Sequence, residues 1–181
     1  MAEARREWTS TFLDNGGFNY ILKQFMTKKI SIQAADSLED QFTLKQISFM
    51  LVLLRVISTA AFATEKSKNI ADAVALVKKS SSRQEDEGEE TALERKKSTV
   101  SAADTTLNKL MAEGFAADIL EKTDYSKLCA RILDLVSQTI QRGSFTLEDK
   151  IIVENGLALW TGCILYKPDI FEEFMTWKNS D

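Results

Sequence analysis

The most apolar stretch of the chain runs from Phe42 to Ala63 and dominates its hydrophobic pattern. Lys45 and Arg55 are the charged residues within it. A helix that is apolar on almost every side is buried on almost every side. We therefore predict a long helix from about Thr43 to Thr64 at the centre of a helical domain, with the other helices packed around it.

The helical pattern continues beyond this stretch, from Lys66 to Lys79. Apolar positions such as Ile70, Val74 and Val77 again mark one face. The pattern alone leaves open whether one bent helix or two helices cover both stretches. The usual length of helices in globular proteins favours two.

Two shorter helices are predicted before the central one. The first runs from Arg5 to Asp14 and the second from Phe18 to Lys29, each with one apolar face. Asn15-Gly16-Gly17 separates them, because glycine readily adopts the left-handed conformation that ends a helix. The following residues, Ile30 to Asp40, are predicted to form a loop or a short helical turn.

Polar caps and helix breakers divide the second half of the chain. Side-chain oxygens of Ser101, Asp124 and Thr146 can accept hydrogen bonds from the free N–H groups of a helix start. Asp149 follows Thr146 by three residues, as in a capping box, and Pro168 stops the helix before it. The predicted helices are Ser101–Gly114, Phe115–Lys122, Asp124–Gln141, Thr146–Tyr166 and an amphipathic segment Asp169–Trp177.

The stretch at about 80–98, SSSRQEDEGEETALERKKS, carries serines and charges and almost no apolar residue. Such a segment cannot bury enough surface to offset the entropy of ordering. We predict a flexible loop inside a single domain that covers residues 1–181, because the halves on either side need each other's apolar faces. A solvated helix from Glu89 to Lys97, with Glu–Lys pairs, is the alternative.

The composition supports an all-α fold, since one proline and seven glycines among 181 residues are few for a fold rich in turns. The net charge of −4 argues against a nucleic-acid partner.

The N-terminus lacks the apolar core of a signal peptide. The apolar run from Ile47 to Ala63 is short for a bilayer span of about 20 residues and contains Arg55. We therefore expect a cytoplasmic protein, with the nucleus possible, that has no membrane partner.

The absence of histidine removes the commonest catalytic and metal-binding arrangements, including Ser-His and Cys-His pairs. We predict no catalytic, cofactor-binding or metal site. An enzyme that uses the carboxylates Glu148, Asp149 and Glu154 is a competing interpretation, although the first two more plausibly serve a helix N-terminus. Cys129 and Cys163 are predicted to be small buried thiols.

A weak internal repeat relates the two halves. FLDNGGFNYIL, from Phe12 to Leu22, and LMAEGFAADIL, from Leu110 to Leu120, share the order helix, glycine turn and Ile-Leu pair after a small length adjustment. Helical units that echo one another favour an α-solenoid, although a helical bundle would show similar stripes.

The stretch FLDNGGFNYILKQF resembles the armadillo-type repeat, in which a helix ends at a Gly-Gly turn and a second begins with an aliphatic or aromatic residue. With Trp8 ahead of it, the stretch is similar to segments of the helical-repeat regions of very large ubiquitin-specific proteases, most strongly from Trp8 to Met26. The resemblance implies a right-handed α-solenoid of armadillo/HEAT type. No catalytic residue carries over, since those proteases need a Cys-His pair.

The resemblance implies a non-catalytic scaffold for protein–protein interaction, as a fragment of a large ubiquitin-specific protease. The residues Trp177 to Asp181 do not resemble a natural terminus, which agrees with a fragment. Because formin regulatory domains share the turn, the alternative is a self-contained armadillo-type adaptor that binds a GTPase or a cytoskeletal partner.

Trp8 and Trp177 are the candidate partner-binding residues, although aromatic residues at helical spacing more often belong to a core. For Arg55 we expect a structural role, either paired with a buried acid or reaching solvent along its stem. The partners are expected to be other proteins, and the oligomeric state is left open.

Overall fold

A computed structural model describes residues 2–28, 38–81, 107–142 and 145–172. Within these ranges every regular element is helical, which confirms the all-α class. Residues 107–110 are helical, and the segment Met111–Phe115 that follows them is kinked at Gly114, whose backbone dihedral angles are not helical. The main α-helices are α1 (Ala2–Asp14), α2 (Gly17–Thr27), α3 (Leu38–Ser81), α4 (Ala116–Lys122), α5 (Tyr125–Gln141) and α6 (Leu147–Tyr166).

Helix α3 is the long axis of the domain. Its 44 residues span about 66 Å at the rise of an α-helix. The preference for two helices over this stretch was wrong, because α3 continues without interruption. The sequence at the proposed break, Thr64 to Lys68, holds neither glycine nor proline. Its Glu and Lys residues are good helix formers, so nothing local stops the helix.

The inner face of α3 forms the centre of the hydrophobic core. Ile47, Leu51 and Leu54 are each fully buried there. Helix α3 packs most extensively on α6, and it also contacts α4 and α2, while α5 packs on α6. Burying three such side chains contributes about 1.5–3 kcal/mol each to folding. The prediction that α3 is the central element is confirmed.

Three helices meet most closely at Gly156, in the middle of α6. A Cβ atom there would lie 2.9 Å from Val136 Cγ2 and 3.6 Å from Leu51 Cδ2. Glycine therefore lets the backbone of α6 approach α5 and α3 together. Any side chain at this position would push the three helices apart, which would loosen the centre of the core.

The expectation that α3 is buried on almost every side was wrong. Phe42 and Phe49 are 62% and 64% exposed, and Val56 is 40% exposed. The helices that pack on α3 cover its inner face and leave these side chains in water. A run that is apolar all round therefore forms a helix with one buried face and one exposed apolar face.

Both predicted glycine turns are present, with positive φ at Gly16 (72°) and Gly114 (125°). When the sequence around Gly16 is aligned with the sequence around Gly114, buried positions of the two segments also align. This alignment needs no gap, so the length adjustment suggested by the sequence repeat is unnecessary. Helices α2 and α4, which follow the two turns, both pack on α3 and contact each other. The two halves thus place corresponding units against the same helix. The equivalent buried pairs are Leu13 and Met111, Phe18 and Ala116, and Ile21 and Ile119.

The predicted caps are also found where the structure describes them. Asp124 accepts a hydrogen bond from the backbone N–H of Lys127 at 3.1 Å. Thr146 and Asp149 form a capping box at the start of α6, and this helix ends at Tyr166 before Pro168. The predictions for residues 30–37, 82–106, 143–144 and 173–177 lie outside the described residues. Ser80 and Ser81 belong to α3 rather than to the predicted loop.

We predict that Gly114→Ala destabilises the protein more than Gly16→Ala. A new Cβ atom would meet nothing within 4 Å at either site, so backbone strain alone decides the cost. Gly16 lies in the left-handed helical region, where alanine costs about 1 kcal/mol. Gly114 lies outside it, and a cost of about 2 kcal/mol is expected.

Urea unfolding of both variants measures the two costs. Asparagine tolerates the left-handed region, so Gly16→Asn should recover part of the lost stability while Gly114→Asn should not. An equal cost of alanine at the two positions would contradict this account of the turns.

Candidate interaction surface

The exposed side of α3 carries an apolar row, which we call the outward stripe. It consists of Phe42, Phe49, Val56 and Ala63, which follow one another at seven-residue intervals, with Lys45, Val52 and Thr59 between them. Residues spaced alternately three and four apart share one face of a helix. All of these side chains are exposed except the half-buried Val52. The outward stripe is therefore continuous over about 32 Å.

A groove begins where the outward stripe passes Val56. One cavity of about 320 Å³ lies between α3 and the residues before Gly114, with Leu107 and Asn108 on its far side. A neighbouring cavity of about 500 Å³ continues it and shares Ala63 and Asn108. Together they form the α3 groove. Its other lining residues are Arg55, Val56, Thr59, Ala60, Thr64, Ser67, Lys68 and Ala112.

Arg55 stands at one end of the α3 groove. Its side chain is partly buried, and its Nε atom is buried without a hydrogen-bond partner among the described residues. The expected pairing with a buried acid is therefore not found in the part of the chain that the structure describes. An unpaired buried donor is costly, and another part of the Arg55 side chain lines the α3 groove.

The charged residues on and beside the outward stripe are basic. Lys45 belongs to the stripe, and Lys66 and Arg55 lie beside it. The four acidic residues of α3 up to position 72 lie about 100° or more round the helix from the centre of the stripe. One of them, Glu65, acts on Tyr166 of α6, where its charge adds to the effect of burial and raises the pKa of that tyrosine.

Trp8, the first predicted binding residue, is 67% exposed on α1. Its ring stacks on Phe12, with centroids 5.4 Å apart and an angle of 11° between the planes. The interpretation of Trp8 as a core residue was wrong, because most of its side chain is exposed. Trp177, the second predicted residue, lies outside the described residues.

The three candidate carboxylates do not converge on a site. Asp149 is fully buried and accepts hydrogen bonds from Thr146 N at 2.8 Å and from Arg142 Nη1 at 3.0 Å. Glu154 is exposed and pairs with Lys150 at 3.7 Å. The interpretation of Asp149 as a residue of the helix N-terminus is thus confirmed. Among the described residues no group of three or more acidic or cysteine side chains is arranged to hold a metal ion.

Cys129 on α5 and Cys163 on α6 are both free and fully buried, as predicted. The hydrogen bond with Cys129 and the burial of the thiol both raise the pKa of Cys163. A thiol that stays protonated and inaccessible is a poor nucleophile. The two cysteines therefore serve the contact between α5 and α6.

The sequence contained a signal for the outward stripe. Apolar residues at positions 42, 49, 56 and 63 form a seven-residue repeat, but the surrounding run is so apolar that the repeat does not stand out. By length and composition Leu38–Asp72 could cross a membrane, and 44% of its most apolar window is buried inside the protein. Core helices of soluble proteins pass the same test, so this finding does not decide what covers the stripe.

We predict that Asp149→Ala costs about 3–5 kcal/mol of stability. The substitution removes the capping box and leaves the buried Arg142 guanidinium unpaired. Thr146→Ala, which removes the cap alone, should cost about 1 kcal/mol. Glu154→Ala is the matched control on the same helix and should cost about 0.5 kcal/mol or less. Denaturant unfolding measures all three, and a similar loss for Asp149→Ala and Glu154→Ala would contradict the structural role.

We also predict that Ellman's reagent labels neither cysteine of the native protein at pH 8. Both thiols are out of reach of solvent, and the raised pKa of Cys163 keeps it protonated. In denaturant both should react within the mixing time. Rapid labelling of one thiol in the native state, at a rate above that of global unfolding, would show that the contact between α5 and α6 opens locally.

Comparisons of the chain with protein-family models, with curated proteins and with solved structures find no match. The armadillo-type resemblance accordingly rests on the residues from Trp8 to Met26 alone. The described residues themselves show an exposed apolar row on α3 beside a groove.

Proposed function

We propose that this chain is a non-catalytic scaffold for protein–protein interaction. The observation that carries the proposal is the outward stripe, in which Phe42, Phe49 and Val56 are exposed on the central helix. Folded proteins rarely leave a long contiguous apolar surface in water unless a partner covers it. Large aromatic side chains at the centre of such a surface are typical anchors of an interface.

The finer proposal is that the chain is an armadillo/HEAT-like solenoid piece of a large ubiquitin-specific protease. Its support is the similarity of the segment from Trp8 to Met26 to the repeats of those scaffolds, together with two glycine turns at equivalent positions. Glycine-turn helix pairs that repeat along a chain are the units from which solenoids are built. The expected partners are then proteins of the ubiquitin pathway, bound in the cytoplasm.

Titration of the ¹⁵N-labelled chain with ubiquitin-pathway proteins tests the proposal by nuclear magnetic resonance. A binding partner should shift a contiguous set of resonances that includes the outward stripe. Phe49→Ala should weaken binding at least tenfold, or about 1.4 kcal/mol, because it removes a central aromatic anchor. Leu165→Ala is the matched control, since Leu165 is 78% exposed on α6.

The outcomes separate the candidate functions. Binding only to an activated GTPase of the formin-regulatory kind would replace the ubiquitin-pathway scaffold by the adaptor. If neither the ubiquitin-pathway proteins nor the activated GTPases shift a contiguous set of resonances, the proposal of a binding scaffold for these pathways fails.

A further inference from the structure

We propose that the outward stripe and the α3 groove bind an amphipathic helix whose apolar side chains are flanked by carboxylates, one of which pairs with Arg55. The inference rests on the proposed scaffold function and names the chemistry of its partner. Three features of the described residues support it: the shape of the surface, the sign of its charges and the unpaired donor of Arg55.

The shape suits a helix better than an extended peptide. Adding a strand to a sheet edge is one way in which extended peptides bind, and the described residues contain no strand to which one could be added. The outward stripe offers anchors one and two turns apart, as at Val52, Val56 and Thr59, which is the spacing that a partner helix can match. From Val56 onward the surface is concave, with Leu107 and Asn108 as the facing wall. A partner helix of about 20 residues would be about 30 Å long and would cover nearly all of the outward stripe.

The charges select an acidic partner. Lys45, Arg55 and Lys66 border the apolar side chains, and the acids of α3 up to position 72 point elsewhere. The protein as a whole carries a net charge of −4, so this basic surface is a local feature. Complementary charges at the rim of an apolar interface raise the association rate and fix the register of the partner.

Arg55 gives the surface one specific contact. The guanidinium group presents its Nε and Nη donors in a planar fork that a carboxylate can accept through both oxygens. Its Nε atom is already withdrawn from water and has no partner among the described residues. Because the Nε atom is enclosed, a carboxylate would contact Arg55 where its side chain lines the α3 groove. The partner should therefore place an Asp or Glu beside the apolar residue that covers Val56.

Two other occupants fit less well. A second copy of the chain would bring one basic stripe against another, and like charges at close range oppose that contact. A lipid surface is flat, and it would leave the concave α3 groove unfilled. In addition, Lys45 lies between Phe42 and Phe49, where a bilayer that covers the stripe would bury its charge.

Two synthetic helical peptides of about 20 residues provide the test. Both carry the same leucine seam, but one has Glu and the other Lys at the flanking positions. Fluorescence anisotropy should show that the Glu peptide binds the full chain at least tenfold more tightly than the Lys peptide. Its affinity should fall as the salt concentration rises, because the contacts at the rim are screened.

Substitutions at Arg55 test the specific contact. Arg55→Met keeps the apolar stem and should weaken the Glu peptide about tenfold, while Arg55→Lys keeps the charge but not the fork and should recover part of the loss. Lys150→Met, which also removes one exposed positive charge, is the control and should change nothing. Circular dichroism melts of each variant show whether a loss of binding comes from a loss of fold. Phe49→Ala should also weaken binding of the Glu peptide, and this effect does not depend on Arg55.

The result that overturns the inference is equal binding of the two peptides, or binding that Arg55→Met leaves unchanged. If neither peptide binds while pathway proteins still shift the outward stripe, the inference fails and the scaffold function stands. If the unmodified chain sediments as a dimer and the Phe49→Ala variant sediments as a monomer, a second copy of the chain covers the stripe and the inference is overturned. Co-sedimentation with vesicles of phosphatidylserine and phosphatidylcholine, lost in Phe49→Ala, would assign the stripe to a membrane instead.

Discussion

The burial of the inner face of α3 is the interaction on which the rest of the structure depends. Ile47, Leu51 and Leu54 have no exposed surface, and they lie where α2, α4 and α6 converge on one helix. Because Gly156 has no side chain, the backbone of α6 can pack closely against α3 and α5 at the same point. The units that follow the two glycine turns then have a common surface on which to pack. A cavity at Leu51 would therefore weaken contacts in both halves of the domain.

The same helix creates the surface on which the proposed function rests, because its neighbours cover only one side of it. An isolated domain gains nothing from leaving Phe42 and Phe49 in water, since each could be replaced by a polar residue without loss of core packing. Arg55 also destabilises the free protein, because its buried Nε atom has no hydrogen-bond partner among the described residues. Features that weaken the free protein but suit a bound state are typical of binding sites. The fold and the proposed function thus meet in one element.

Signals that act over a few residues predicted the structure well. The caps at Asp124 and Thr146 and the turns at Gly16 and Gly114 depend on local backbone geometry, and each lies where the sequence placed it. The length of α3 was less predictable, since frequencies of helix length are averages and this helix simply lacks a local stop signal.

The surface could not be predicted in the same way, because exposure depends on which helices are neighbours. Trp8 and Phe49 carry no sequence mark that distinguishes an exposed aromatic from a buried one such as Phe25. Periodicity distinguishes a buried face from a polar face, and it fails when both faces are apolar. The α3 groove depends in addition on the contact between α3 and residues 107–112, which are distant in sequence.

Hydroxyl-radical footprinting of the three phenylalanines Phe25, Phe42 and Phe49 tests the central claim most directly. The side chains have the same intrinsic reactivity, so differences in oxidation report exposure. The account predicts rapid oxidation of Phe42 and Phe49 and protection of the fully buried Phe25 in the isolated chain. Addition of a saturating Glu-flanked peptide should then protect Phe49. Oxidation of Phe49 as slow as that of Phe25 in the isolated chain would mean that the outward stripe is already covered, and would contradict the account.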